Sequence, residues 1–199
     1  MTRDATSTLR ALAKEAAACR RCDLWRDATQ VVFGSGPVGA SMMLIGEQPG
    51  DQEDRAGEPF VGPAGRELDD ALADAGIERA DVYLTNAVKH FKWTARGKRR
   101  IHQQPNRGEV LACRDWLGGE LAAVRPSVVV TLGATAGQAL FGASFRVGTA
   151  RGALLDHEGI PVVATIHPSA IVRLRDPVEQ TSAHDGLVAD LRRAATIRS

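Results

Sequence analysis

The chain of 199 residues carries 25 Lys and Arg against 24 Asp and Glu, a formal net charge of +1, and is 44% apolar with 20 glycines. A chain of this length supports one domain, residues 1–199, around a single core, and its composition excludes low-complexity or repetitive architecture. No apolar run reaches the length of a membrane span and the N-terminus lacks the order of a secretory signal, so a cytoplasmic protein without membrane association is expected.

In chain order, residues 7–18 have helical composition, with Leu9, Leu12 and Ala16 able to share one apolar face before the string CRRC at 19–22. Three cysteines, an odd number, fit a reducing compartment and a metal site better than a disulfide framework. The string GSGPVG at 34–39 matches the dinucleotide fingerprint in letters only. That fingerprint needs a helix opening at its glycines, whereas Pro37 and a strand follow here, so an ordinary glycine-rich loop is the better reading. Residues 42–46 read as a short buried strand, 65–75 as a helix, 82–88 as a second strand and 108–124 as a helix. Strand 128–132, helix 134–140, strand 162–166 and helix 183–195 complete the pattern.

Short apolar runs alternating with helices predict an α/β fold, a three-layer α/β/α sandwich with a central, mainly parallel four-stranded sheet. Ligands in such sheets bind beyond the carboxyl ends of the strands, and three unusual loops are expected there: 47–54, 89–105 and 167–169. The first brings Glu47, Asp51, Glu53 and Asp54 together, a set that on its own reads more readily as a solvated loop. The second lies in a segment with Lys89, Lys92, Arg96, Lys98, Arg99, Arg100 and Arg107 and no carboxylate, the charge a phosphate backbone needs, although such runs are often only solvated. Phe60 suits a core plug or a stacking platform, and His167 a helix entry satisfied by a backbone carbonyl.

Taken together, GEQPG at 46–50, EPFVG at 58–62, Thr85 with Asn86, and HPS at 167–169 resemble, in order and spacing, the family 4 uracil-DNA glycosylases over roughly residues 19–175. The resemblance implies a pocket for an extruded uracil in DNA. Phe60 would stack on the pyrimidine, and the Asn86 amide would pair with its O4 and N3 edge, rejecting cytosine because that donor pattern is reversed. His167 would donate to O2, where charge collects as the glycosidic bond breaks. Gln48 and Asp51 complete the implied uracil-binding set. Cys19, Cys22 and Cys113 resemble three of the four ligands of a [4Fe-4S] cluster, and His90 stands where most relatives have the fourth cysteine. Three thiolates and an imidazole also suit tetrahedral zinc; the resemblance favours iron and sulfur.

An insertion after His90 carries KRRIH at 98–102 and resembles the arginine-rich loop of the UdgX group, which Gln48 also matches. For that group the implied role of His102 is attack on deoxyribose C1′ as uracil leaves, with Glu47 orienting its imidazole, giving a stable protein-DNA adduct in one turnover. Lys98, Arg99 and Arg100 would bind phosphates. Arg173 and Leu174 occupy a place suited to a wedge or phosphate contact, or to a simple surface turn. Multiple-turnover excision and non-catalytic uracil-DNA binding remain as alternatives. The expected partner is uracil-containing DNA, single-stranded in preference, bound by a monomer. His157 and His184 sit in no motif.

Overall fold

The structure, a computed structural model, describes residues 2–197. In chain order these form α1 (Thr2–Ala16), β1 (Met42–Gly46), α2 (Asp51–Ala56), α3 (Pro63–Asp74), β2 (Val82–Asn86), β3 (Trp93–Arg96), β4 (Arg99–His102) and α4 (Arg107–Val124). They continue as β5 (Val128–Leu132), α5 (Ala134–Phe141), α6 (Val147–Ala150), β6 (Leu154–His157), β7 (Ile160–Thr165), α7 (Pro168–Val172) and α8 (Pro177–Ile197). Each predicted strand and helix is present, with ends displaced by a few residues where helices fray or cap.

The central sheet has the order β2-β1-β5-β7-β6, and its first four strands run parallel. Their continuous apolar runs follow from burial on both faces. Met42, Leu44, Leu84, Val130 and Val163 pack with Leu68, Leu72, Ile171, Leu187 and Leu191 of α3, α7 and α8. Met43, Ile45, Tyr83, Val129 and Val162 turn the other way, onto Leu9, Leu117, Leu121 and Ala136 of α1, α4 and α5. The three layers are therefore as expected.

The sheet differs from the expectation of four strands by an antiparallel fifth, β6, paired with β7 from Leu154↔Val163 to His157↔Ile160. Its side chains alternate between exposed and half-buried, so it has no apolar run to announce it. The connecting turn is Glu158 and Gly159, with φ of 54° and 85°, the left-handed pair that closes a two-residue hairpin. Asp156 Oδ1 accepts from Gly159 N at 3.0 Å and braces that turn. The glycine string at 34–39 opens no helix: Ser35 bridges to Leu84, and a Cβ at Gly36 would stand 2.4 Å from the Val82 carbonyl oxygen. Close backbone approach to β2 explains that glycine.

Candidate active site

Strand order turns at β1, whose neighbours β2 and β5 lie on opposite sides, and a crevice opens beyond the carboxyl ends at such a switch. Glu47 follows β1 there. Its Oε1 lies 3.3 Å from His102 Nε2, and its Oε2 accepts from Thr135 Oγ1 at the start of α5. Burial pushes the Glu47 pKa up, but the hydrogen bonds from His102 and Thr135 outweigh it and hold the carboxyl below its ordinary range.

His167 caps α7: Ser169 N donates to its Nδ1 at 3.1 Å, and Ser169 Oγ lies 2.9 Å from the same nitrogen. A neutral ring accepting at Nδ1 carries its proton on Nε2. Desolvation lowers the His167 pKa to about 4, against the pull of Glu47, so the ring is a neutral donor at physiological pH. Phe60 lies beside it, ring centroids 6.2 Å apart and planes inclined by 26°. Asn86 ends β2, 3% exposed. A Cβ on Gly46 would come within 2.4 Å of Asn86 Oδ1 and 2.6 Å of Phe60 Cζ, so only glycine keeps the space between them open. Phe60 itself holds a left-handed φ of 58°. That conformation costs a bulky side chain about 1–3 kcal/mol and persists only where its surroundings impose it.

The segment 89–105, expected as a loop, contains the antiparallel hairpin β3-β4, joined through Gly97 at φ 60°. Cross-strand partners share a face, which places Trp93 with His102 and Ala95 with Arg100, and on the other face Thr94 with Ile101 and Arg96 with Arg99. This parity divides KRRIH. Arg100 turns inward onto the Asp51 and Asp54 carboxylates, 2.6 Å from Asp54 Oδ2, and lies over the rings of Phe91 and Trp93 at 5.3 and 5.4 Å. Lys98 and Arg99 are exposed at the turn. Arg100, expected to bind phosphate, here has its charge held by two acids, one of them fully buried.

Gln48 and Asp51 also face the hairpin. The Gln48 amide donates to the carbonyls of Lys92 and Gln103 at 3.3 and 3.0 Å and accepts from Lys92 N at 3.1 Å, bracing both feet of the hairpin. The Asp51 carboxylate pairs with Arg55 and Arg100. Neither side chain supplies the atoms nearest the space at Gly46. Of the basic segment, Lys89 is buried against Glu120 and Lys92 pairs with Glu109, leaving Arg96, Lys98, Arg99 and Arg107 exposed.

Arg100→Ala should release the hairpin without unfolding the sheet. Trypsin cleavage at Arg96, Lys98 and Arg99 is expected to accelerate about tenfold or more, the equivalent of about 1.4 kcal/mol in local opening, with unchanged far-UV circular dichroism. An unchanged digestion rate would show that the latch is not what holds the hairpin.

The Uracil DNA glycosylase superfamily profile matches residues 33–192. The chain belongs to that superfamily. It is 36% identical over 179 residues to the Type-4 uracil-DNA glycosylase of Archaeoglobus fulgidus, covering 84% of this chain and 86% of that one. It is 36% identical over 159 residues to the Type-4 uracil-DNA glycosylase of Thermotoga maritima, covering 79% of each. The Type-5 uracil-DNA glycosylase of Pyrobaculum aerophilum is 33% identical over 170 residues, with 76% of this chain and 71% of that protein covered.

In this superfamily domain the cysteines gather beside the loop that leaves β2. Cys22 and Cys113 share an apolar cluster with Leu24, Val88 and Val110, and Trp116 Nε1 donates to Cys19 Sγ at 3.3 Å. Burial pushes the Cys113 thiol up to about 11 and raises Cys22. His90 is 4% exposed, and its buried Nδ1 has no hydrogen-bond partner in the protein, an orphan that a ligand would satisfy. Among the described residues no group of three or more His, Cys, Asp or Glu is arranged to hold a single metal ion. No helix among them is long and apolar enough to cross a membrane. Arg173 is exposed at the end of α7, its charge lowering the His167 pKa, and Leu174 is half-buried beside it.

Thr135 is the site residue that sequence reasoning missed. Its signal was position: it opens the helix that follows β5, across the switch from Glu47.

Proposed function

We propose that this protein excises uracil from DNA, single-stranded in preference, and that His102 captures the deoxyribose. The observation that carries the reading is the contact of His102 Nε2 with Glu47 Oε1 at 3.3 Å beside the Phe60, Asn86 and His167 constellation. Phe60 stacks on the extruded base and Asn86 reads its O4 and N3 edge. As the C1′–N1 bond breaks, its electron pair passes to uracil, and the His167 Nε2–H stabilises the negative charge at O2.

The His102 nitrogen with the free lone pair forms the new bond to C1′, while the proton on the other ring nitrogen moves to Glu47 and thence to the uracil anion. Protein and nucleotide thereby become an N-glycosyl imidazole plus free uracil. A glycosyl carboxylate ester is hydrolysed because carboxylate leaves readily; imidazole is a poorer leaving group, so this bond persists. Arg100 holds the hairpin, and Lys98, Arg99 and Arg173 meet phosphates. Gln48 and Asp51 act on uracil through the hairpin and α2 that they brace.

The names of the relatives favour a second reading, hydrolysis with multiple turnover, in which water attacks C1′ and His102 contacts DNA. Incubation with uracil-containing single-stranded oligonucleotide followed by a denaturing gel separates the two. A band retained in denaturant supports capture. Abasic product in excess of protein supports turnover, and neither product would leave uracil-DNA binding alone.

Cys19, Cys22, His90 and Cys113 are proposed to hold a [4Fe-4S] cluster. Free thiols in an apolar surround and the orphaned imidazole nitrogen of His90 fit such a group, whose ligands stand further apart than those of one zinc ion. When bound, the cluster would cross-link the N-terminal segment, the loop after β2 and α4. Protein purified without oxygen should contain about four irons and absorb broadly near 400 nm. Stoichiometric zinc without iron would refute the assignment.

A further inference from the structure

We infer that Arg79 is a positioning residue for base selection, acting through the strained backbone of Phe60. The inference rests on the reading of Phe60 as the uracil-stacking face. Arg79 precedes β2, and its guanidinium reaches the Asp69 carboxylate of α3. The other arm, Nη2, donates to the carbonyl oxygens of Phe60 at 3.1 Å and Pro59 at 3.4 Å. Below this, Gly65 gives the Phe60 carbonyl its space: a Cβ there would stand 1.9 Å from that oxygen. Glu53 fastens the remaining end of the segment, accepting from Gly62 N at 2.7 Å and from Gly50 N at 3.0 Å.

These contacts converge on one residue with φ of 58°, a conformation an aromatic residue does not hold unaided. Its ring forms one wall of the space between Gly46, Asn86 and His167. Rotation of the Phe60 peptide toward a relaxed conformation would swing that wall, and with it the clearance at the base edge where thymine carries its methyl group. Glu53 ties the Phe60 segment to the loop after β1, so its setting is also referred to the frame that holds Glu47. On this segment Arg79 bonds only to backbone carbonyl oxygens, so its effect on the base passes through Phe60. Since the guanidinium satisfies two carbonyls at once while anchored to Asp69, a lysine ammonium can replace only part of the arrangement.

The test compares wild type, Arg79→Ala, Arg79→Lys, Gly65→Ala and the Arg79→Ala/Gly65→Ala pair on single-stranded oligonucleotides carrying uracil or thymine. Single-turnover rates, oligonucleotide affinity and melting temperature are measured for each. Arg79→Ala should lower the rate on uracil by about ten- to a hundredfold, as a displacement near 1 Å in a reacting assembly does. Affinity for the oligonucleotide should change little, because phosphate contacts remain, and the preference for uracil over thymine should narrow. Arg79→Lys should recover part of both, and the paired variant should fall short of the sum of its single effects.

A folded Arg79→Ala protein with wild-type rate and preference would overturn the inference, whatever its melting temperature. Loss of stability with unchanged selectivity among surviving molecules would also overturn it. Should Gly65→Ala fail to fold, the two Arg79 variants still decide. A wild-type protein inert toward uracil would instead overturn the uracil reading, and this inference with it.

Discussion

His102→Ser is expected to abolish the proposed denaturant-stable adduct and to release free uracil in its place. The serine hydroxyl is short, and the hairpin position that brings Nε2 to 3.3 Å from Glu47 leaves a gap when the ring is removed. Phe60, Asn86 and His167 come from other elements and stay in place, so uracil binding should be retained. Water can enter the gap, and Glu47, still held by Thr135, is placed to orient it toward C1′. The His102 bond is the foremost of the contacts that keep the Glu47 carboxyl acidic against its burial, so its loss moves that pKa upward and makes the carboxylate a better base.

Attachment should fall on the order of a thousandfold or more, the scale on which removal of a nucleophile acts. Glu47→Gln should slow attachment without diverting it to hydrolysis, because the imidazole remains but loses its orienting charge. Proteolysis of the wild-type adduct locates the bond: trypsin cleaves after Arg100 and Arg107, so the deoxyribose-linked mass belongs on the peptide 101–107. Adduct on another peptide, or formed at wild-type rate by His102→Ser, would leave the hydrolytic reading as the better account.

Glu120→Ala is expected to lower stability more than any substitution on the surface of the site. Lys89 and Glu120 are 1% and 0% exposed and form an ion pair between the loop after β2 and α4. Glu120 also accepts from Gly34 N at 2.9 Å, Tyr83 Oη at 3.1 Å and Thr85 Oγ1 at 2.9 Å, and burial beside this carboxylate pushes the Tyr83 hydroxyl up. Removing the carboxylate strands the Lys89 ammonium in an apolar layer, a loss of about 3–5 kcal/mol.

For a chain of this size that corresponds to a fall of about 10 °C or more in melting temperature. Lys89 Nζ donates to the Asn86 carbonyl at 2.8 Å, so Asn86, the residue proposed to read the base, should loosen as well. Replacing both partners by Leu and Met should recover most of the stability, because no buried charge is then left alone. A melting temperature within about 2 °C of wild type for Glu120→Ala would show that water reaches Lys89 and that the pair is not a structural core.

Several features were decided by the chain's local chemistry. Residues 42–46 and 128–132 are apolar without alternation, which specifies strands buried on both faces, and both have those bounds in the fold. Glu47, Asn86 and His167 each end or follow such a strand, so their convergence at the carboxyl edge followed from a parallel sheet alone. Other features were absent from any local window. Lys89, Lys92, Arg100 and Arg99 read as one basic run, yet the first three are paired with Glu120, Glu109, and Asp51 with Asp54, while Arg99 faces solvent.

Hairpin parity made that division for the two arginines: neighbouring residues in a strand face opposite ways, and only the registration of β3 on β4, docked against α2, says which way is inward. The grip of Arg79 on Phe60, the bond of Thr135 to Glu47 and the antiparallel edge β6 likewise join residues whose meeting depends on how the layers close. Sequence carries the periodicity that makes elements and the chemical types that fit a site. Which charge is paired inside the protein and which is left for a ligand is settled by long-range packing, because burial makes an unpaired charge too costly to leave and so selects its partner from wherever the fold brings one.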